Sequence, residues 1–70
     1  MDLTVNGVNQ TYDLSELPVE KLLELLQLPP TGLVVEINGY IYKEPDFLTV
    51  GLKPKDQIEL IHFMGGGSGY

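Results

Sequence analysis

The 70-residue chain predicts an α+β domain with a single helix laid across one face of a mixed four- to five-stranded sheet. Three features carry that expectation: two Asn-Gly pairs flanked by strand-forming residues, one stretch with helical apolar spacing, and a closing strand that runs into three glycines. Leu3 and Val5 alternate with Asp2, Thr4 and Asn6; Asn6-Gly7 supplies the two positive-φ positions of a tight turn, and Val8 to Asp13 returns as a second strand. From Val19 to Leu28, Val19, Leu22, Leu23 and Leu26 fall on one face, with Glu20, Lys21, Glu24 and Gln27 opposite. This is the helix. Either Ser15 caps it with Pro18 in its first turn, or Pro18 is its first residue. Pro29-Pro30 ends it, because proline lacks the N–H and its predecessor avoids α geometry.

Leu33 to Ile37 is rich in β-branched residues, and Asn38-Gly39 turns it back into Tyr40-Ile41-Tyr42 as a second hairpin. Lys43 to Gly51 reads as a loop with one helical turn, pinned by Phe47, Leu48 and Val50. Lys53-Pro54-Lys55-Asp56 suits a β-turn, after which Gln57 to Met64 forms the last strand. Packing one leucine-faced helix across such a sheet gives the ubiquitin-like β-grasp, with residues 1–64 as the domain and 65–70 as a flexible glycine-rich tail. Terminal strands are often central neighbours in this arrangement, so the tail is expected to leave the stiffest part of the body.

Composition excludes several functions. A chain this short buries only about 60% of its unfolded surface and has no room for an enclosed active site. The absence of cysteine removes disulfides, thiolate nucleophiles, iron–sulfur clusters and cysteine-ligated zinc. Met1-Asp2-Leu3-Thr4 shows neither a basic flank nor a long apolar run, so a soluble cytoplasmic protein without a signal peptide or membrane contact is expected. Ten acidic residues against four lysines give a net charge of −6, which repels phosphate backbones and makes nucleic acid an unsuitable partner. The same charge either steers the protein toward a basic partner or simply keeps it in solution.

No catalytic constellation emerges. Ser15 and Ser68 have no base held beside them, and Glu20 and Glu24 at i, i+4 suit a solvated helix face rather than a dyad. His62, without a second histidine, fits a partly buried residue beside the core better than a metal ligand. Alternation in the last strand puts Ile58, Leu60, His62 and Met64 on one face, with Gln57, Glu59, Ile61 and Phe63 on the other. The polar start of the second face marks it as solvent-side, leaving Ile61 and Phe63 exposed where a partner enzyme would grip to aim the tail. A tail without side chains suits delivery of a terminal carboxylate through a narrow channel. The protein reads as a co-substrate rather than an enzyme, with no cofactor of its own.

Leu3-Thr4-Val5-Asn6-Gly7, Val35-Glu36-Ile37-Asn38-Gly39 and Asp56-Gln57-Ile58-Glu59-Leu60-Ile61-His62-Phe63-Met64-Gly65-Gly66-Gly67 together resemble the sulfur carriers of thiamine biosynthesis, the ThiS family. The resemblance implies that an ATP-using adenylating enzyme, related to those that activate ubiquitin, activates a C-terminal glycine carboxylate. A cysteine desulfurase or another persulfide donor then converts it to a thiocarboxylate, whose sulfur passes to thiazole synthase. By position, Gly67 bears the thiocarboxylate, while Gly65 and Gly66 thread the channels. Typical family members end at the glycine aligned with Gly67, whereas this chain continues with Ser68-Gly69-Tyr70: either a processing protease removes these residues before activation, or they are an extension in an inactive paralogue. Rival assignments are the carrier subunit of molybdopterin synthase, a ubiquitin-like protein modifier, and a bare interaction module. The Ile61-His62-Phe63 ending favours the thiamine branch.

Overall fold

The computed structural model describes residues 1–63. Strands β1 (Asp2–Val5) and β2 (Val8–Thr11) form the opening hairpin, with Asn6 at φ 49° and Gly7 at φ 81°. Both central residues of a two-residue turn therefore lie in the left-handed region, the geometry whose twist matches that of the strands. Leu3 and Val5 point into the core while Asp2 and Thr4 take the other face.

The helix α1 spans Val19–Leu26 and buries Val19, Leu22 and Leu23. Its N-cap is Pro18, in extended conformation and with no side-chain cap bond, so neither alternative for the helix start holds as stated. Leu17–Pro18 (β3) instead pairs with Gly51–Leu52 (β6) in a small antiparallel ribbon, and the first helical N–H, from Val19, donates to the Val50 carbonyl at 2.9 Å. A tertiary contact thereby satisfies one of the helix's first free donors in place of a side-chain cap. The helix also stops two residues short of Leu28. Gln27 adopts φ 59°, Leu28 N–H reaches the Leu23 carbonyl (2.9 Å), and Gln27 N–H reaches Glu24 (3.1 Å). This paired closure turns Leu28 back onto the core before the prolines are reached.

Strands β4 (Leu33–Ile37) and β5 (Tyr40–Lys43) form the second hairpin, through Asn38 and Gly39 at φ 51° and 91°. The expected helical turn is a 3₁₀ segment, Asp46–Thr49, that drives Phe47 into full burial. Lys53 to Asp56 closes as a β-turn, Asp56 N–H to Lys53 carbonyl at 3.1 Å, and leads into β7 (Gln57–His62). β7 is shorter than the expected strand to Met64. Phe63 N–H still adds a rung to the Gly32 carbonyl at 2.8 Å, and Met64 lies outside the described residues.

The main sheet has the order β2-β1-β7-β4-β5, with β1 and β7 parallel and the other pairs antiparallel. This is the mixed five-stranded sheet of a β-grasp, with the first and last strands adjacent at its centre. One face carries Leu3, Val5, Val35, Ile37 and Ile58 against α1 and Phe47. The helix's outer face is solvated as expected: Lys21 Nζ lies 2.8 Å from Glu24 Oε1, and that hydrogen bond, with the attraction between the charges, holds the Glu24 carboxyl below its usual range.

Candidate functional site on the last strand

Strand β7 is held from both sides by the two turn asparagines. Asn6 N–H donates to the Ile58 carbonyl (2.9 Å), and Asn6 Oδ1 accepts the Leu60 N–H (2.7 Å). Backbone pairing with β1 ends at Val5↔Ile58, so the Asn6 side chain supplies the rung that β1, already turning away, cannot. On the other side Asn38 Oδ1 accepts Gln57 N–H (2.9 Å), while Asn38 Nδ2 donates to Asp56 Oδ1 (2.9 Å). Asp56 Oδ2 in turn accepts the Lys53 N–H at 2.8 Å. The chain reads both asparagines as turn formers, which they are. Their acceptor role toward β7 carries no local signal, since Asn6 and Leu60 are 54 residues apart.

Along β7, Ile58 is buried and Leu60 half-buried, while Gln57 and Glu59 are exposed. Ile61 and Phe63 are exposed at 42% and 61%, on the face away from the helix. His62 is exposed rather than partly buried beside the core, contrary to expectation. It pairs with Leu33, the first residue of β4, and β1 has no residue alongside it. Alternation assigns it to the helix side, but the sheet has run out of cover there.

Register across the outer face brings further residues to the site. Val34 stands opposite both Ile61 and Lys43, and Glu36 stands opposite both Glu59 and Ile41. Ile41 is 65% exposed. Val34, Glu36 and Ile41 were not singled out from the sequence, because their adjacency to β7 follows from strand order and not from any motif. Tyr40-Ile41-Tyr42 is apolar at all three positions, so the sequence carries no alternation there, and the outward direction of Ile41 follows only once Tyr42 is seen to pack on the core.

Gly65, Gly66 and Gly67, the expected reactive segment, lie outside the described residues, as does Ser68. Among the described residues no group of three His, Cys, Asp or Glu side chains could hold a metal ion, and no helix is long and apolar enough to cross a membrane. Ser15 is exposed, and among the described residues no hydrogen bond links it to a base.

One helix over a mixed five-stranded sheet, with adjacent terminal strands at its centre and a Gly-Gly-Gly sequence just beyond the last of them, defines a ubiquitin-like β-grasp protein. The ThiS family model matches residues 3–67, and the chain belongs to the ThiS family. It is similar to the thiamine biosynthesis protein (ThiS) of Geobacter metallireducens in its crystal structure, with 38% identity, 96% of this chain and 100% of that chain covered, and a TM-score of 0.80. It is likewise similar to the solution structure, determined by NMR, of a thiamine biosynthesis protein from Geobacter metallireducens, with 37% identity, coverage of 97% and 90%, and a TM-score of 0.75. No curated protein sequence gives a match.

Proposed function

We propose that the chain is a cytoplasmic sulfur carrier for thiazole formation in thiamine biosynthesis, a protein co-substrate with residues 1–64 as its docking body and 65–70 as its delivered arm. Support comes chiefly from the ThiS family match, which runs along the central strand and ends at Gly67. In the proposed cycle the Gly67 carboxylate attacks the α-phosphorus of ATP on an adenylating partner, and pyrophosphate leaves. A carboxylate resists nucleophiles until one oxygen becomes a leaving group, which adenylation supplies. The terminal sulfur of a persulfide, from a cysteine desulfurase or another donor, attacks the acyl carbon and AMP departs. A second thiol then cleaves the resulting S–S bond, leaving the thiocarboxylate for thiazole synthase to consume.

Gly65 and Gly66 pass through the partners' channels, where a Cβ would collide with the walls. Ile61 and Phe63, exposed on the rigid strand just before the glycines, dock the body so that the arm enters. Ser68, which follows Gly67, keeps the Gly67 carboxyl in a peptide bond, so a protease must cut after Gly67 before the cycle can begin.

Intact-mass measurement of the chain recovered from its host tests this. The expected product ends at Gly67, with a fraction about 16 Da heavier where sulfur has replaced oxygen. A chain that remains entirely full-length and unmodified would overturn the proposal, and recovery joined to lysines of other proteins would point to a modifier instead.

A further inference from the structure

On the outer sheet face, two carboxylates confront each other at the edge of the apolar surface beside β7, between the polar Asn38–Gln57 rung and the Val34–Ile61 rung. Glu36 and Glu59 are direct partners across β4 and β7. Rungs at Asn38 N–H to Gln57 carbonyl and Phe63 N–H to Gly32 carbonyl fix the phase of this ladder, so Glu36 and Glu59 occupy a hydrogen-bonded pair, with Cα atoms about 5.5 Å apart. Side chains so placed project together on one face, and like charges directly opposite are destabilising. Neither makes an ion pair among the described residues, where the one ion pair is Lys21–Glu24 on the helix; Lys43 stands diagonal to Glu36, opposite Val34. Ile41 flanks the pair on β5, and Ile61 follows Glu59 on the same face of β7. The isolated molecule thus carries, on the face that leads to the arm, a carboxylate pair with no ion-pair partner among the described residues.

We propose that Glu36 and Glu59 form the specificity element of this docking face and take a guanidinium from an arginine set in an otherwise apolar patch of the adenylating partner. Charge complementarity selects the occupant. Two parallel carboxylates offer acceptors that a planar fork of donors bridges at once, which an ammonium cannot do with the same geometry. Ile41 and Ile61 flank that contact and Phe63 extends the apolar surface further along, so a partner seated on all three excludes water from it, strengthening it as rim residues do around an interface anchor. The inference rests on the carrier function proposed above and adds which partner surface the face accepts.

The test uses the chain ending at Gly67 and the adenylating enzyme encoded in the same genome, with ATP–pyrophosphate exchange as the readout. The double variant Glu36→Gln/Glu59→Gln is expected to raise the KM for the carrier about tenfold or more, leave kcat unchanged, and flatten the dependence of KM on salt. Its melting temperature should not fall, since the like-charge pairing is removed, so a folding defect cannot mimic the result. An unchanged KM in the double variant, with a raised KM in Phe63→Ala, would overturn the guanidinium contact while leaving docking by this face intact. Unchanged KM in both variants would overturn the docking face itself, and absence of exchange with the parent chain would overturn the carrier function and this inference together.

Discussion

Replacing Asn38 by aspartate isolates the bond that ties the second hairpin to the turn before β7. The side chain makes two contacts: Oδ1 accepts Gln57 N–H at 2.9 Å, and Nδ2 donates to Asp56 Oδ1 at 2.9 Å. Asn38→Asp keeps the first contact and tolerates the left-handed backbone at φ 51°, but it converts the second into an encounter of two carboxylates. A hydrogen bond to a charged group contributes about 1.5–3 kcal/mol, and this one is solvent-exposed, which places it at the low end. Repulsion between unit charges about 4 Å apart in water adds about 1 kcal/mol. Together they predict a loss of about 2.5 kcal/mol, or about 10–20 °C in melting temperature for a domain this small.

The sign of the pH dependence follows from the crowding. One of the two facing carboxylates in the variant holds its proton to higher pH when folded than when unfolded. The folded state then binds more protons, so the deficit is largest at neutral pH and closes as pH falls below about 4. Asn6→Asp is the control: its Oδ1 accepts from Leu60 N–H, and its amide nitrogen donates no described hydrogen bond, so stability should stay within about 0.5 kcal/mol of the parent. Urea unfolding of both variants at pH 7 and pH 4 decides. Equal stability of Asn38→Asp and the parent at pH 7, or an equal loss in Asn6→Asp, would refute the clamp as described.

Phe47 is fully buried, so Phe47→Ala should cost about 3–5 kcal/mol; a domain of this size has about 4–10 kcal/mol in total, and circular dichroism should show it largely unfolded at 37 °C. Gln27→Gly relieves a left-handed residue at the helix end and should raise stability by about 0.5–1 kcal/mol in the same urea assay, whereas a loss would mean that the Gln27 side chain has a contact of its own. Phe63→Ala should leave the melting temperature within about 2 °C of the parent, since the ring is exposed, while raising the KM for adenylation.

Features set by local chemistry could be read from the chain. Asn-Gly pairs require positive φ, so both hairpins followed, and the spacing of Val19, Leu22, Leu23 and Leu26 required one helix. The exposure of Ile61 and Phe63 followed from alternation anchored by Gln57 and Glu59. Features set by distant partners could not be read. Leu17-Pro18 resembles a helix entry, and only Gly51–Leu52 makes it a strand. Gln27 has no sequence mark of the left-handed conformation that glycine usually takes, so the apolar spacing extends the helix two residues too far. For His62, alternation told which side of the sheet it faces but not that cover ends there. The Glu36–Glu59 pairing needed the register of β4 against β7, which no residue pattern encodes.

Transfer of labelled sulfur tests the carrier function most directly. The chain ending at Gly67 is incubated with ATP, the adenylating partner and a persulfide donor loaded with radioactive sulfur, and its C-terminal peptide is then isolated. Label should appear on that peptide only when ATP is present, and should be lost in Gly66→Leu. Absence of label with every component present, or its undiminished appearance in Gly66→Leu, would contradict a glycine arm charged with sulfur at residue 67.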